Sequence, residues 1–261
     1  MNDDTIELHR EVSGEGEALI LLHGLYGSGA NWRRYARRWS RDYRVIVPDL
    51  RNHGRSPHAE PMDYQAMAAD VARLIEAEPG GRAVVLGHSM GGKVAMALAL
   101  TRPALVRGLI VADIAPVTYA DNDHDTIIAA MLAIDLAKVG NRSDADGQLA
   151  ERIDSQAIRQ FLLTNLERAD DGWDWRLPLA TLRRALPDIL GWPALNGHWD
   201  GPALFIHGAR SPYVDDAGRR AIAGYFPYHE METIPEAGHW LHVEAPEAFK
   251  GAVEAFLDGR L

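Results

Sequence analysis

Residues 87–91, GHSMG, place a serine in the pattern Gly-x-Ser-x-Gly, between a predicted strand and a predicted helix. At a sharp strand-to-helix turn the hydroxyl of such a serine is exposed, and the glycines leave room for neighbouring backbone. The dipole of the following helix favours the negative charge that develops at a reacting carbonyl group. We therefore predict that Ser89 is the nucleophile of an acyl-transfer reaction. The alternative is a glycine-rich turn in which Ser89 only caps the helix.

A serine hydroxyl is a weak nucleophile at neutral pH and needs a general base. The chain has 11 histidines, so their number does not identify that base. His239, in EAGHWLHVEAPEAF, follows the last predicted strand, and a loop at this place can reach the carboxyl edge of the sheet. We predict that His239 is the base. His242 is the nearest alternative, although a capping or packing role fits it better, and His23 is expected to be a structural hydrogen-bond partner.

An oxyanion formed during acyl transfer needs backbone N–H donors that point to where the charge develops. The amide of Met90, directly after the predicted nucleophile, is one candidate. The loop HGLYGSG, residues 23–29, offers Leu25 as the second, unless this segment is only a glycine-rich turn. Tyr26 and Trp240 adjoin Leu25 and His239, so both are candidates for contact with the substrate. Packing inside the core is the alternative for Trp240.

Five short apolar runs, each bounded by turn residues, predict the strands that must position these residues. Their apolar residues are nearly continuous, which is typical of strands buried on both faces of a parallel sheet. The runs span residues 18–24, 43–49, 82–88, 106–116 and 202–208, and a weaker sixth strand spans 228–235. Helical patterns span residues 64–78, 89–103 and 246–257. We predict an α/β fold with a mostly parallel sheet flanked by helices.

This alternation stops between about residues 118 and 200. Helical patterns at 124–139 and 155–169 occupy that region, and it contains no convincing strand. We predict a helical cap, residues 118–197, inserted after the strand that ends at Asp113. Residues 1–117 and 198–261 would then form the core. A cap in this place could cover the carboxyl edge of the sheet, where ligands bind in open α/β folds.

Four motifs occur in order along the chain: LLHGLYGSGANW, VIVPDLRNHGRSP, LGHSMGGKVAMALAL and EAGHWLHVEAP. Together they resemble the α/β-hydrolase superfamily. More narrowly, DLRNHGRSP, GHSMGGKVAM, ADIAPVTY and GARSPYV resemble the YbfF-type esterases. That resemblance implies an α/β-hydrolase fold with a helical cap. It also implies a carboxylesterase, with thioesterase activity on acyl-CoA, that uses a Ser-His-Asp triad and an acyl-enzyme.

The acid of the triad is the open point. In the superfamily it commonly follows the strand read here as ALFIHG, but this chain has Ser211 in that turn. Asp113 lies at the end of the neighbouring strand, between Ser89 and His239 in sequence, and the YbfF-type resemblance points to it. We predict that Asp113 is the acid. Asp215 or Asp216 is the alternative, although both fit the start of the next helix better, and Asp49 precedes the nucleophile.

Composition narrows the possible partners. The chain of 261 residues has a net charge of -10, which disfavours a nucleic-acid partner. It contains no cysteine, and no apolar run reaches the roughly 18 residues of a membrane span. Neither a phosphate-binding glycine loop nor a dinucleotide fingerprint follows a strand, so we expect no cofactor, and we expect no metal. The acidic start, MNDDTIELHREV, has no apolar signal region, so a cytoplasmic protein acting on a small-molecule ester or thioester is expected.

Other functions remain possible on the same scaffold. A carbon–carbon bond hydrolase, a lyase or a cofactor-free perhydrolase could share the triad, because the fold alone does not decide the reaction. A non-catalytic ligand-binding protein is the alternative from a different class.

Overall fold

The protein is described by a computed structural model that covers residues 5–120, 123–170 and 172–260. Its centre is a seven-stranded sheet, and a separate two-stranded sheet is inserted into it along the chain. The strands are β1 (Arg10–Ser13), β2 (Ala18–Leu22), β3 (Arg44–Pro48), β4 (Ala83–His88), β5 (Val106–Ala112), β6 (Leu166–Ala169), β7 (Gly172–Trp175), β8 (Ala203–Gly208) and β9 (His229–Ile234).

The order of strands in the large sheet is β1-β3-β2-β4-β5-β8-β9. All neighbouring pairs are parallel except β1 and β3, which pair antiparallel at the edge. This is the α/β-hydrolase fold with a mostly parallel sheet, as predicted. The strands expected from the apolar runs and the weaker sixth strand are all present.

The helices cover both faces of this sheet and form most of the insertion. They are α1 (Arg33–Trp39), α2 (Tyr64–Glu76), α3 (Met90–Thr101), α4 (His124–Leu132), α5 (Arg142–Ala150), α6 (Gln156–Leu163), α7 (Leu179–Leu190), α8 (Asp216–Tyr225), α9 (Leu241–Glu244) and α10 (Pro246–Arg260). Short 3-10 helices span Gly29–Trp32, Pro103–Leu105 and Leu136–Lys138. None of the helices within the described ranges has the length and apolar character needed to cross a bilayer.

Alternate residues of the central strands enter two different apolar clusters. In β2, Ile20 packs with the side of the sheet that carries α2 and α3, whereas Leu19 and Leu21 pack with α1 and α10. Both faces of a central strand are therefore apolar, which explains why its sequence does not alternate. The carboxyl ends of the parallel strands lie at one edge, and Ser89 and Asp113 directly follow β4 and β5 there.

The insertion differs from the predicted all-helical segment, because it contains the antiparallel hairpin of β6 and β7. The expectation of no strand in this region was therefore wrong. The predicted helix at 155–169 ends at Leu163, and the predicted helix at 124–139 ends at Leu132. In this hairpin β6 pairs with β7, and the Arg168 guanidinium lies 4.3 Å from the centre of the Trp173 ring. Such pairing across the chain overrides the local helix preference of LERA.

Candidate active site

Ser89 lies in a sharp turn between β4 and α3. Its backbone angles, φ 54° and ψ -121°, are unusual for a residue with a side chain. The turn is possible because Gly87 and Gly91 flank it. A Cβ atom at Gly87 would lie 2.1 Å from the Gly91 carbonyl oxygen, and one at Gly91 would lie 2.6 Å from the Leu22 carbonyl oxygen. Both glycines are therefore required by close backbone packing, and the serine hydroxyl is left exposed to the site.

A chain of hydrogen bonds links Ser89, His239 and Asp113. The Ser89 Oγ atom lies 3.0 Å from His239 Nε2. On the other side of the ring, His239 Nδ1 lies 2.7 Å from Asp113 Oδ2. Since a carboxylate only accepts, Nδ1 carries the proton and Nε2 is left with a lone pair that faces the hydroxyl. This geometry suits a histidine that takes a proton from Ser89.

The Asp113 carboxylate is fully buried and accepts hydrogen bonds from two further groups. The Gly208 amide donates to Oδ1 at 2.9 Å, and the Ser211 hydroxyl donates to Oδ2. Ser211 occupies the turn in which the superfamily commonly has its acid, and here its hydroxyl donates to Asp113, which follows the neighbouring strand. A buried charge without such donors would be costly.

The other candidate acids are engaged elsewhere. Asp215 is the N-cap of α8 and accepts a hydrogen bond from the Gly218 amide at 2.7 Å, and Asp216 lies in the first turn of that helix. Asp49 accepts from the Gly29 amide at 2.7 Å. The positions of Asp215 and Asp216 fit the capping roles expected from the sequence.

The other histidines near the site are structural. His242 is buried and stacks on Trp32 with ring centroids 5.1 Å apart, and burial lowers its pKa to about 3. His23 Nε2 accepts a hydrogen bond from the Leu50 amide at 3.0 Å. His88, which precedes Ser89, donates from Nε2 to the His239 carbonyl oxygen at 2.8 Å. This hydrogen bond links β4 to the loop that carries His239.

The amides of Leu25 and Met90 donate no hydrogen bond within the described part of the chain. The Leu25 loop lies against Ser89, since a Cβ atom at Gly24 would lie 3.3 Å from Ser89 Cβ. Met90 is the first residue of α3, where N–H groups have no partner inside the helix. Both amides are therefore available for an acceptor beside Ser89.

The loop that carries Leu25 is held by His53 and Asn165, two residues that sequence reasoning missed. Tyr26 has a left-handed backbone with φ 64°, and its amide donates to His53 Nε2 at 3.1 Å. Asn165, which lies between α6 and β6, donates from Nδ2 to the Tyr26 carbonyl oxygen at 2.8 Å. Asn165 thus connects the insertion to the loop beside Ser89. A single polar residue has no periodic pattern, so the sequence contained no signal for this contact.

A cavity of about 640 Å³ opens onto Ser89 and His239. Tyr26 and Trp240, the two predicted substrate-contact residues, both line it. The Tyr213 ring stacks on the His239 ring with centroids 4.2 Å apart. The insertion supplies further walls through α4 and α6, namely His124, Ile127, Ile158, Phe161 and Leu162. Its mostly apolar lining suits an acyl chain.

A second connection between the insertion and the rest of the fold involves Lys93 of α3. Its buried ammonium group donates to the carbonyl oxygens of Leu190 at 3.0 Å and Gly191 at 2.6 Å, at the end of α7. The rings of Tyr64 and Tyr119 lie 5.4 and 4.7 Å from the nitrogen. A cation at the carboxyl end of a helix is favourable for the helix dipole.

Comparison with known proteins agrees with this architecture. The family model of the α/β hydrolase fold matches residues 17–246. The sn-1-specific diacylglycerol lipase ABHD11 of Mus musculus is 40% identical over 247 residues, which cover 92% of this chain and 80% of the relative. Esterase YbfF of Escherichia coli is 38% identical over 240 residues and 92% of each chain.

Among solved structures, a marine microorganism esterase superimposes with a TM-score of 0.93 and 39% identity, over 97% of this chain and 100% of the other. The resemblance seen in the sequence motifs is therefore confirmed. The chain belongs to the α/β-hydrolase family, as an esterase-type hydrolase of the YbfF kind.

Proposed function

We propose that the protein is a serine esterase that cleaves carboxylic esters or thioesters through a covalent acyl-enzyme, with Ser89, His239 and Asp113 as its triad. The observation that carries this proposal is the continuous hydrogen-bonded chain from Ser89 Oγ through His239 to Asp113, at the floor of an apolar cavity. Histidine and carboxylate groups in this order are what activation of a serine hydroxyl requires.

In the first half of the reaction, His239 Nε2 takes the proton of the Ser89 hydroxyl while Oγ attacks the acyl carbonyl carbon. The carbonyl oxygen becomes an oxyanion that accepts hydrogen bonds from the Leu25 and Met90 amides. When the tetrahedral intermediate collapses, the bond to the leaving alcohol or thiol breaks, and His239 gives its proton to that group. The acyl group then remains on Ser89 as an ester.

In the second half, a water molecule replaces the leaving group. His239 takes a proton from the water molecule as the water oxygen attacks the carbonyl carbon of the acyl-enzyme. His239 then gives that proton to Ser89 Oγ when the carboxylic acid departs. Asp113 holds the imidazole in the tautomer needed for both steps and stabilises the imidazolium. These steps use only side chains and amides of the chain together with water.

Residues 118–197 form the cap of this enzyme in the proposal. Their contribution to the cavity wall supports it, because α4 and α6 add apolar side chains to the cavity that opens onto Ser89. Tyr26 and Trp240 contact the substrate on the core side. The name of the mouse relative, a diacylglycerol lipase, makes neutral glycerol esters suitable first substrates.

The test is hydrolysis of p-nitrophenyl esters and monoacylglycerols of graded chain length by wild type, Ser89→Ala and His239→Ala. We expect wild-type turnover and a loss of at least about a thousandfold in each variant, because either removes a member of the triad. Thermal unfolding of all three proteins controls for misfolding. Folded wild type that binds these esters without turnover would overturn the proposal in favour of a binding protein.

A further inference from the structure

Apart from its histidines, the cavity is lined by one charged side chain among the described residues, and that side chain is negative. Among the described residues its lining includes no Lys or Arg, and the one carboxylate in it is that of Asp123. Asp123 is an exposed residue at the start of α4, and its side chain makes no capping hydrogen bond to that helix. Its charge is therefore free to act on whatever enters the cavity.

Apart from His239, the histidines of the lining do not balance this charge at neutral pH. Burial lowers the pKa of His124 to about 4 and that of His242 to about 3. Burial also lowers the pKa of His23, and holds that of His88 well below its usual range. These four rings are neutral under physiological conditions.

The Asp123 charge acts on Tyr213, a residue that contacts His239. Burial raises the pKa of Tyr213, and the negative charges of Asp113 and Asp123 raise it further. The Tyr213 ring in turn stacks directly on His239. Asp123 thus lines the same cavity as Tyr213 and His239, the residue that gives its proton to the leaving group in the proposed mechanism.

In the described part of the chain, the cations near Asp123 are engaged by other groups, and Arg183 of α7 bonds to Asp125 at 2.9 Å. Residues 115–137 contain four aspartates and no Lys or Arg. Arg159 of α6 neighbours the lining residue Ile158, but it bonds to Asp146 at 2.9 Å and to the carbonyl oxygens of Ile153 and Asp154. A substrate with phosphate groups would thus meet a negative charge with no cation of the lining to offset it.

We infer that Asp123 is a specificity-determining residue that selects acyl donors with an uncharged leaving group and discriminates against acyl-CoA. This inference rests on the proposed esterase function and narrows its substrate class to neutral esters and neutral thioesters. It also departs from the acyl-CoA activity that the sequence resemblance implied.

The test compares two thioesters that share an acyl group, butyryl-CoA and S-butyryl-N-acetylcysteamine, which lacks the phosphates of CoA. We expect wild type to have a kcat/KM for the neutral thioester at least about tenfold higher at low ionic strength, from unscreened repulsion. Raising the ionic strength from about 0.01 to about 1 M shortens the Debye length from about 30 to about 3 Å, so the preference should shrink.

Two variants assign the effect to Asp123. Asp123→Asn keeps a residue suited to the helix start and removes the charge, and Asp123→Lys reverses the charge. We expect the preference to fall stepwise in these variants, by about tenfold or more in Asp123→Lys. Asp188→Lys is the matched control: it makes the same charge change at an exposed position of α7 outside the cavity lining, and should leave the preference unchanged.

Two results would overturn the inference: equal or faster use of butyryl-CoA by wild type, or an unchanged preference in both Asp123 variants. Neither result affects the proposed function, because both still require thioester hydrolysis that depends on Ser89. Failure of the proposed function has a different signature, namely that folded wild type hydrolyses neither thioester and none of the p-nitrophenyl esters.

Discussion

Replacement of Asp113 by asparagine should separate catalysis from folding. Asp113 has a left-handed backbone with φ 55°, a conformation that asparagine tolerates better than most residues, so the turn should persist. The side-chain oxygen of the new amide can still accept from the Gly208 amide. Its NH₂ group, however, would face His239 Nδ1, which must then become an acceptor and leave the proton on Nε2. In that tautomer the ring cannot accept the Ser89 proton.

The size of the loss follows from the geometry of the pair. His239 Nδ1 and Asp113 Oδ2 are 2.7 Å apart, and the carboxylate is fully buried. With charge centres about 4 Å apart and an effective dielectric constant of about 20, the pair contributes about 4 kcal/mol, or roughly a thousandfold in rate. The unfavourable tautomer adds to this, and the total loss in kcat should approach about 10⁴-fold.

The assay is kcat for p-nitrophenyl butyrate, measured together with the thermal unfolding midpoint. Ser211→Ala is the matched control, because it removes one donor to the same carboxylate and leaves the contact with His239 in place. It should lower kcat by only about tenfold, as expected for one hydrogen bond to a charged group. If Asp113→Asn retained kcat within about tenfold of wild type, or if Asp215→Asn lost kcat instead, the assignment of the acid would be wrong.

Three further variants test the supporting structure. Asp215→Ala should cost about 1 kcal/mol of stability through the lost cap of α8 and leave kcat unchanged; a large drop in kcat would argue against a purely capping role. Asn165→Ala should lower kcat about 10- to 100-fold, because the loop of Tyr26 loses a support, and an unaltered kcat would show that the loop holds without it. Burial lowers the pKa of Lys93 from 10.5 to about 7. At pH values between about 7 and 10.5, Lys93 is protonated in the unfolded chain but not in the folded chain. The contribution of Lys93 to the free energy of unfolding therefore rises with pH in this range. The thermal unfolding midpoint of wild type, minus that of Lys93→Met, should be higher at pH 9 than at pH 7. The same difference at both pH values would refute this expectation.

The central sheet could be predicted from the sequence because burial on both faces makes its strands continuously apolar. The same reasoning placed Ser89 and Asp113 at the ends of neighbouring strands. Parallel strands share their carboxyl edge, so proximity of these two residues follows from topology. The third member of the proposed triad, His239, could be expected there because its loop leaves the last strand at that same edge.

Three strands, β1, β6 and β7, escaped prediction for physical reasons. β1, with the sequence REVS, is exposed along its whole length at the sheet edge and therefore lacks an apolar pattern. β6 has residues that favour a helix, and only its pairing with β7 makes it a strand. Local patterns contain no information about such partners.

The contacts between the insertion and the core were also beyond prediction. Asn165 and Lys93 each bind backbone carbonyl groups far away in sequence, and each depends on one side chain. The charges that line the cavity likewise could not be predicted from the sequence, because the lining residues come from separate parts of the chain. Lowered histidine pKa values result from burial that only the folded arrangement produces.

The most direct test of the central claim is mass spectrometry after reaction with a fluorophosphonate, which phosphonylates activated serines. We expect one adduct per chain, located on the peptide that contains Ser89. The adduct should be absent in Ser89→Ala and should form far more slowly in Asp113→Asn. An adduct on a different serine, or ester hydrolysis that persists in folded Ser89→Ala, would contradict the account.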